Sequence, residues 1–142
     1  MHKFDPTQFT PTKGSTAQDK AKFANDFMAF VRSDFDRKKW NEAFYARLSL
    51  TFGHIAHYDL EGFWNTFFDT ADHQRQFFDH TLRYTPAGDP TWTFSDVERA
   101  IQQALQQYGM QRIENRLRVE KDAADRVTYE RLKAKFEHSI NQ

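Results

Sequence analysis

The stretch that decides the fold is residues 40–84, which read WNEAFYARLSLTFGHIAHYDLEGFWNTFFDTADHQRQFFDHTLRY. Of the chain's 15 Phe, 5 Tyr and 3 Trp, twelve lie in this stretch, together with four of the six histidines. Each aromatic side chain buries roughly 150–250 Å² on folding, so a chain that is only 39% hydrophobic can still form a core. We therefore expect the remaining segments to pack on this stretch or to project from it.

The composition predicts one cytoplasmic domain. A chain of 142 residues is of ordinary single-domain size. It contains no cysteine, which excludes disulfides, thiolate metal ligands and cysteine nucleophiles. Its mean hydropathy is −0.86. No apolar run approaches the ~20 residues that span a bilayer, and no signal-peptide pattern opens the sequence.

Charge is balanced over the whole chain but not along it. Residues 1–53 carry nine basic and six acidic side chains, residues 54–109 carry three and eight, and residues 110–142 carry eight and six. The middle is therefore acidic and the ends are mildly basic, while the formal net charge is zero. Binding of nucleic acid without sequence preference usually needs a basic surplus, so this balance disfavours that class of function.

Apolar residues recur at helical spacing through most of the chain, and no strand pattern is present. Residues 1–14 contain two prolines and a glycine, which predicts an extended arm. We expect the core helices within residues 15–109 and a long, charged C-terminal helix over residues 110–142. The sequence thus predicts a single all-α domain, a compact bundle of five to six helices.

Capping residues predict where the core helices begin. Ser15 with Gln18 fits the start of the first helix, and the second is expected to begin near residues 36–39 and to run to Ile55. Asp59 fits the start of the third helix, and Asp69 or Thr70 that of the fourth. After a Pro- and Gly-rich loop, Ser95 with Glu98 forms a capping-box pattern for a fifth helix, which is expected to end at Gly109.

The C-terminal helix carries two apolar stripes that face different directions. At 100° per residue, the first stripe consists of Ile113, Leu117, Ala124 and Val127. The second stripe consists of Tyr129, Leu132, Phe136 and Ile140, and it is rotated by more than a quarter turn. One interpretation is that the helix bends, or that its end folds back on the domain. The other is that the first stripe packs on the domain while the second binds a protein partner or a second copy.

Four histidines form the one pattern that could hold a metal ion. They are His54, His57, His73 and His80, with Asp59, Asp69, Asp72 and Asp79 as further candidate ligands. Antiparallel packing of the helices that carry them would bring the imidazoles together, and four nitrogen and oxygen ligands would suit zinc. The pattern lacks H-E-x-x-H, because Glu61 follows His57 by four residues. The alternative is that these histidines are structural and that the protein has no cofactor.

Other functional motifs are absent or weak. The sequence has no G-x-S-x-G, no P-loop and no G-x-G-x-x-G, which disfavours several enzyme classes. A helix-turn-helix for DNA binding could be placed on residues 95–118, with Gly109 at the turn and Arg112, Arg116 and Arg118 on the second helix. That second helix would be unusually long and would also carry Glu114 and Glu120.

The stretch FYARLSLTFGHIAHYDLEGFW at residues 44–64, followed by GDPTWTFSDVERAI at 88–101, resembles a group of small bacterial proteins found with phages and mobile elements. The most specific part is RLSLTFGHIAHYD. The resemblance implies an accessory or regulatory role but supplies no catalytic residues. Combined with the stripes, it favours a non-enzymatic interaction module that binds a protein partner or itself through Tyr129, Leu132, Phe136 and Ile140. A histidine-bound metal, with hydrolase activity as an extension, and DNA binding are the alternatives.

Overall fold

The computed structural model describes the backbone of residues 3–140 and the side chains of residues 3–138. The helices are α1 (Ala17–Arg32), α2 (Glu42–Thr51), α3 (Leu60–Phe67), α4 (Ala71–Leu82), α5 (Ser95–Ala104) and α6 (Met110–Ile140). Two short 3-10 turns occupy Pro6–Gln8 and Arg37–Lys39, and a π turn occupies Leu105–Gly109. The described residues contain no strand, so the all-α prediction is confirmed.

The core is an aromatic cluster in which α1 contacts the 40–84 stretch. Phe27 and Phe30 on α1 are fully buried. The Phe27 ring lies 5.6 Å from Phe52 and 5.9 Å from Phe77 between centroids, and Phe30 lies 5.2 Å from Phe68. Aromatic pairs at these separations stabilise a core by more than the area they bury. The 40–84 stretch therefore forms the side of the aromatic core that faces α1.

The N-terminal arm lies against the domain, as its two phenylalanines predict. Phe4 and Phe9 are 8% and 7% exposed. The Phe4 amide donates to Asn25 Oδ1, and Asn25 Nδ2 donates back to the Phe4 carbonyl. Farther along the arm, the Thr10 amide donates to Asp96 Oδ2 at 2.9 Å. These bonds tie the arm to both α1 and α5.

Among the first four helices, two of the predicted N-terminal positions need correction and two are confirmed. The N-cap of α1 is Thr16, whose hydroxyl accepts from the Asp19 amide, and not Ser15. The second helix is split, because the Asn41 side chain accepts from the Phe44 amide and starts α2 afresh after the 3-10 turn. It ends at Thr51, before Gly53 and Ile55. Asp59 and Thr70 cap α3 and α4 by side-chain hydrogen bonds, as predicted.

The helix-turn-helix prediction for residues 95–118 is wrong. The chain stays helical from α5 through the π turn into α6, so no turn separates two helices there. Gly109 serves close packing: a Cβ at this position would lie 2.8 Å from Leu105 Cδ2 and 3.5 Å from Phe78 Cζ. The glycine therefore leaves room for the Leu105 side chain one turn earlier and does not end a helix.

The first turns of α6 are fixed to the body of the domain. Arg112 Nε donates to Asp34 Oδ1 at 2.8 Å and its Nη2 donates to the Arg32 carbonyl at 3.0 Å. Asp34 and Phe35 have φ of 56° and 62°, a left-handed turn that is unfavourable for a bulky residue such as Phe35. The Arg112 contacts, together with burial of Phe35 at 5% exposure, hold this turn and the helix base in place.

The rest of α6 projects from the domain. Ile113 is 2% exposed and Leu117 is half-buried, whereas every residue from 118 to 138 is exposed. Because residues 118–138 are all exposed, the interpretation in which the end of the helix folds back on the domain is wrong for this range. The first stripe is also only half correct, because Ala124 and Val127 do not contact the domain. Within the described residues, each helix is too short or too polar to cross a bilayer.

Candidate functional site

A cleft of about 760 Å³ opens between the α2–α3 loop, α4 and the start of α5. Its walls include three of the four predicted histidines: His54, His57 and His80. The other lining residues are Ile55, Tyr58, Thr66, Phe67, Gln76, Arg83, Tyr84, Thr85, Pro86, Ala87 and Glu98. A volume in this range accommodates a small organic ligand.

The fourth histidine lies elsewhere. The Nδ1 atom of His73 forms a hydrogen bond with the Asp69 carboxylate one turn earlier, and His73 does not line the cleft. It is seven residues from His80 on α4, about 10 Å along the helix axis. His54 and His57 lie in a loop and not on a helix, with His57 Nε2 2.8 Å from the His54 carbonyl oxygen. The predicted four-histidine arrangement is therefore not formed.

Metal binding needs side chains that converge on one point. Across the described residues, no three His, Asp, Glu or Cys side chains are placed to hold a metal ion together. Zinc binding by this chain stays a prediction, which metal analysis of the purified protein would test. The groups that line the cleft therefore decide which ligands it can bind.

The residue that sequence reasoning missed is Glu98. The capping-box prediction is wrong: Phe94 is the N-cap and makes no side-chain cap bond. The Ser95 hydroxyl instead donates to the Gly88 carbonyl at 2.6 Å. Glu98 makes no capping bond. It lines the cleft and is only 9% exposed. Its Oε2 lies 3.9 Å from His54 Nδ1, beyond hydrogen-bonding distance.

Burial shifts both of these groups toward their neutral forms. It raises the pKa of Glu98 from 4.5 to about 7, because a carboxylate loses hydration in the cleft wall. Burial also lowers the pKa of His54, and repulsion from protonated His57 and His80 lowers it further. Although the two side chains are neighbours, they are not an ion pair of the kind that would lower the carboxyl pKa. Glu98 changes its protonation near neutral pH.

A buried lysine fixes the wall that carries Glu98. Lys20 on α1 is fully buried, and its Nζ donates to the Pro90 and Thr93 carbonyls and to Asp96 Oδ1, each at 2.9 Å. A buried ammonium needs such compensation to remain charged. Because these acceptors lie on the 83–94 loop and on the first turn of α5, the lysine anchors that turn to α1. Glu98 follows Asp96 by two residues.

The sequence did contain a signal for Glu98. Phe94, Val97, Ile101 and Leu105 recur at helical spacing and are buried. Glu98 falls four residues after Phe94 and three before Ile101, so it lies on the side of α5 that faces the domain. A carboxyl on the apolar side of a helix predicts a functional or paired group, and the capping-box pattern obscured it.

The second feature with functional character is the free half of α6, which we define as residues 118–138. Tyr129, Leu132 and Phe136 of the second stripe are 61%, 54% and 67% exposed. The side chain of Ile140 lies outside the described residues. Val127 of the first stripe is also exposed, at 69%. Large apolar side chains exposed together on one element are typical of interaction surfaces.

Comparison of the chain with protein-family models, with curated proteins and with solved structures gives no match. The resemblance at residues 47–59 to phage and mobile-element proteins therefore stays a prediction. Function is inferred from the two features described above, the cleft and the free half of α6.

Proposed function

We propose that this chain is a non-enzymatic protein-interaction module that pairs with a second copy of itself through the free half of α6. The observation that carries the proposal is the complete exposure of this segment, residue by residue, on a continuous helix. Isolated helices are marginal in water unless an apolar face is buried by packing. A partner helix would supply that packing.

The apolar face is confined to one side of the free half. At 100° per residue, Tyr129, Leu132 and Phe136 fall within an arc of about 60°, and Ile140 would extend it to about 80°. This is the width of a helix seam that packs on one other helix. Val127 lies about 180° from Phe136 on the same helix, so it is outside the proposed interface.

Charge favours a second copy over an anionic surface as the partner. Residues 118–138 carry six basic side chains (Arg118, Lys121, Arg126, Arg131, Lys133, Lys135) and five acidic ones (Glu120, Asp122, Asp125, Glu130, Glu137). A helix that binds phospholipid or nucleic acid usually carries a basic surplus. Two nearly neutral helices approach each other without strong net repulsion.

Size exclusion with light scattering over a concentration series tests the proposal. We expect the wild-type chain to dimerise reversibly, because three or four turns of contact form only a small interface. Leu132→Asp with Phe136→Asp should give a monomer whose helix content and melting temperature are those of the folded domain. Val127→Asp is the matched control, since Val127 is as exposed as Phe136 and faces away.

Two results would reject self-association. One is a wild-type chain that remains monomeric up to several hundred micromolar. The other is a Val127→Asp variant that loses the dimer to the same extent as the double variant. The proposal includes the biological setting that the sequence resemblance implies, which is regulation within a phage or mobile element. That setting is tested only after the dimer is established.

A further inference from the structure

The cleft presents a carboxyl group that the protein itself leaves without a counter-ion. Within the described residues the Glu98 carboxylate accepts no hydrogen bond, and its one possible ion-pair partner within 4.0 Å is His54, at 3.9 Å. Glu98 is nine-tenths buried and lines the cleft. The carboxylate oxygens still reach the cleft, because no side-chain oxygen of the described residues is both buried and without a hydrogen bond. Partial loss of hydration disfavours the charged form, and a ligand that donates hydrogen bonds to the carboxylate would offset that cost.

Arg83, the arginine that lines the cleft, is not a counter-ion for Glu98. None of its nitrogens lies within the 4.0 Å ion-pair distance of the Glu98 carboxylate, and burial is the cause of the raised pKa of Glu98. A guanidinium close to the carboxylate would lower that pKa instead. In the described part of the chain, the carboxyl oxygens of Glu98 thus face the cleft with His54 as their one possible ion-pair partner, and burial favours the neutral form of that imidazole.

The walls next to Glu98 are aromatic. The Phe67 ring packs edge-on against His80 at 5.6 Å and against Tyr58 at 6.0 Å, and His54 meets Tyr84 at 6.4 Å between centroids. Ring faces attract cations and flat apolar groups. An ion with an aromatic or aliphatic body would thus find a carboxylate at one end and rings along its length.

We infer that this cleft binds a small organic cation, a primary ammonium, amidinium or guanidinium, whose N–H groups donate to the Glu98 carboxylate while its apolar part lies against Tyr58, Phe67 and Tyr84. Planar amidinium and guanidinium groups match a carboxylate with two parallel hydrogen bonds. A metal ion is a poorer fit, because no three metal-ligating side chains converge in the described part of the chain. The inference is independent of the proposed helix pairing.

An isosteric series of probes tests the charge requirement directly. Isothermal titration at pH 8, where Glu98 is ionised, would compare benzamidine, neutral benzamide and anionic benzoate on the full-length chain. We expect benzamidine to bind and its two isosteres to bind at least tenfold more weakly. A blocked Gly-Arg-Gly peptide is the fourth probe: if it binds more tightly than benzamidine, the cation is supplied by a peptide side chain and not by a free amine.

The matching variants are Glu98→Gln and Glu120→Gln. The first removes the cleft charge with little change of shape, and the second removes an equal charge from the exposed free half of α6. We expect Glu98→Gln to weaken benzamidine binding by roughly 10- to 100-fold, the range for a charged hydrogen bond, and Glu120→Gln to leave it unchanged. Equal affinity in Glu98→Gln and wild type, tighter binding of benzoate than benzamidine, or no heat with any probe at millimolar concentration would each overturn the inference.

Discussion

Glu98 is a side chain whose charged form is less favourable in the folded protein than in water. Burial raises its pKa to about 7, against 4.5 for the unperturbed group. The folded chain therefore holds this proton more tightly than the unfolded chain does. Glu98 therefore lowers the free energy of unfolding increasingly as the pH rises from 4.5 to 7. Well below pH 4.5 the carboxyl is protonated in both the folded and the unfolded chain, so the effect is absent. Such a cost is typical of a residue kept for binding and not for stability.

Replacing the carboxyl should therefore stabilise the protein at high pH. We expect Glu98→Gln to raise the free energy of unfolding at pH 8 by up to about 3 kcal/mol, the upper limit set by the shift in pKa. At pH 4.5 the two proteins should be equally stable. Urea unfolding at both pH values measures the difference, and comparison with wild type cancels the opposite contribution of His54. A variant that is less stable than wild type at pH 8 would contradict the burial account.

The site was only partly predictable at the residue level. His54, His57 and His80 could be identified because histidines are rare and were close in sequence. His73 lies outside the cleft and its ring bonds to Asp69, a local contact that periodicity does not reveal. Glu98 was missed because Ser95 and Glu98 match a capping box. Whether the box forms depends on long-range partners: Ser95 bonds to Gly88, and Asp96 is held by Lys20.

At the level of elements, helix positions were predictable and helix junctions were not. Asp59 and Thr70 cap their helices by bonds to residues three positions ahead, so the local sequence is sufficient. Gly109 was predicted to end a helix, but that residue type has two uses: to terminate a helix or to permit close packing. The second applies here, because a Cβ on Gly109 would meet the buried side chain of Leu105 one turn earlier.

The close packing at Gly109 gives a testable expectation. Gly109→Val should destabilise the domain by about 1–3 kcal/mol through overpacking, because its Cβ would lie 2.8 Å from Leu105 Cδ2 and Leu105 is fully buried. Chemical denaturation followed by circular dichroism measures this. Gly14→Val is the control, since a Cβ at Gly14 has no neighbour within 4 Å. If Gly109→Val were as stable as wild type, the glycine would not be needed to accommodate the Leu105 side chain.

At the scale of the whole molecule, the cleft and the base of α6 lie on opposite sides of α4. Gln76 and His80 line the cleft, whereas Gln74 bonds to Arg116 of α6 and Phe78 lies against Gly109. At 100° per residue these two pairs are separated by roughly half a turn. Pairing through the free half of α6 therefore leaves the cleft open. Neither proposal requires the other.

The sequence of α6 did not predict that the helix projects from the domain. The two stripes showed that one straight helix could not bury both, but a bend, a fold-back and a free end were all compatible with that pattern. The direction of the helix depends on long-range contacts at its base, those of Arg112 with Asp34 and with the Arg32 carbonyl. These direct the helix away from the body, with Leu117 as its last half-buried apolar residue.

The most direct test of helix pairing uses the absence of cysteine from the chain. A single Leu132→Cys substitution places one thiol in the second stripe, and Val127→Cys places one on the other side of the same helix. Under mild oxidation at several hundred micromolar, where the dimer is expected to be populated, we expect Leu132→Cys to form a disulfide-linked dimer rapidly, because a disulfide requires Cα atoms within about 7 Å. Val127→Cys should remain largely monomeric. Equal cross-linking of the two variants, or none in either, would contradict pairing through the second stripe.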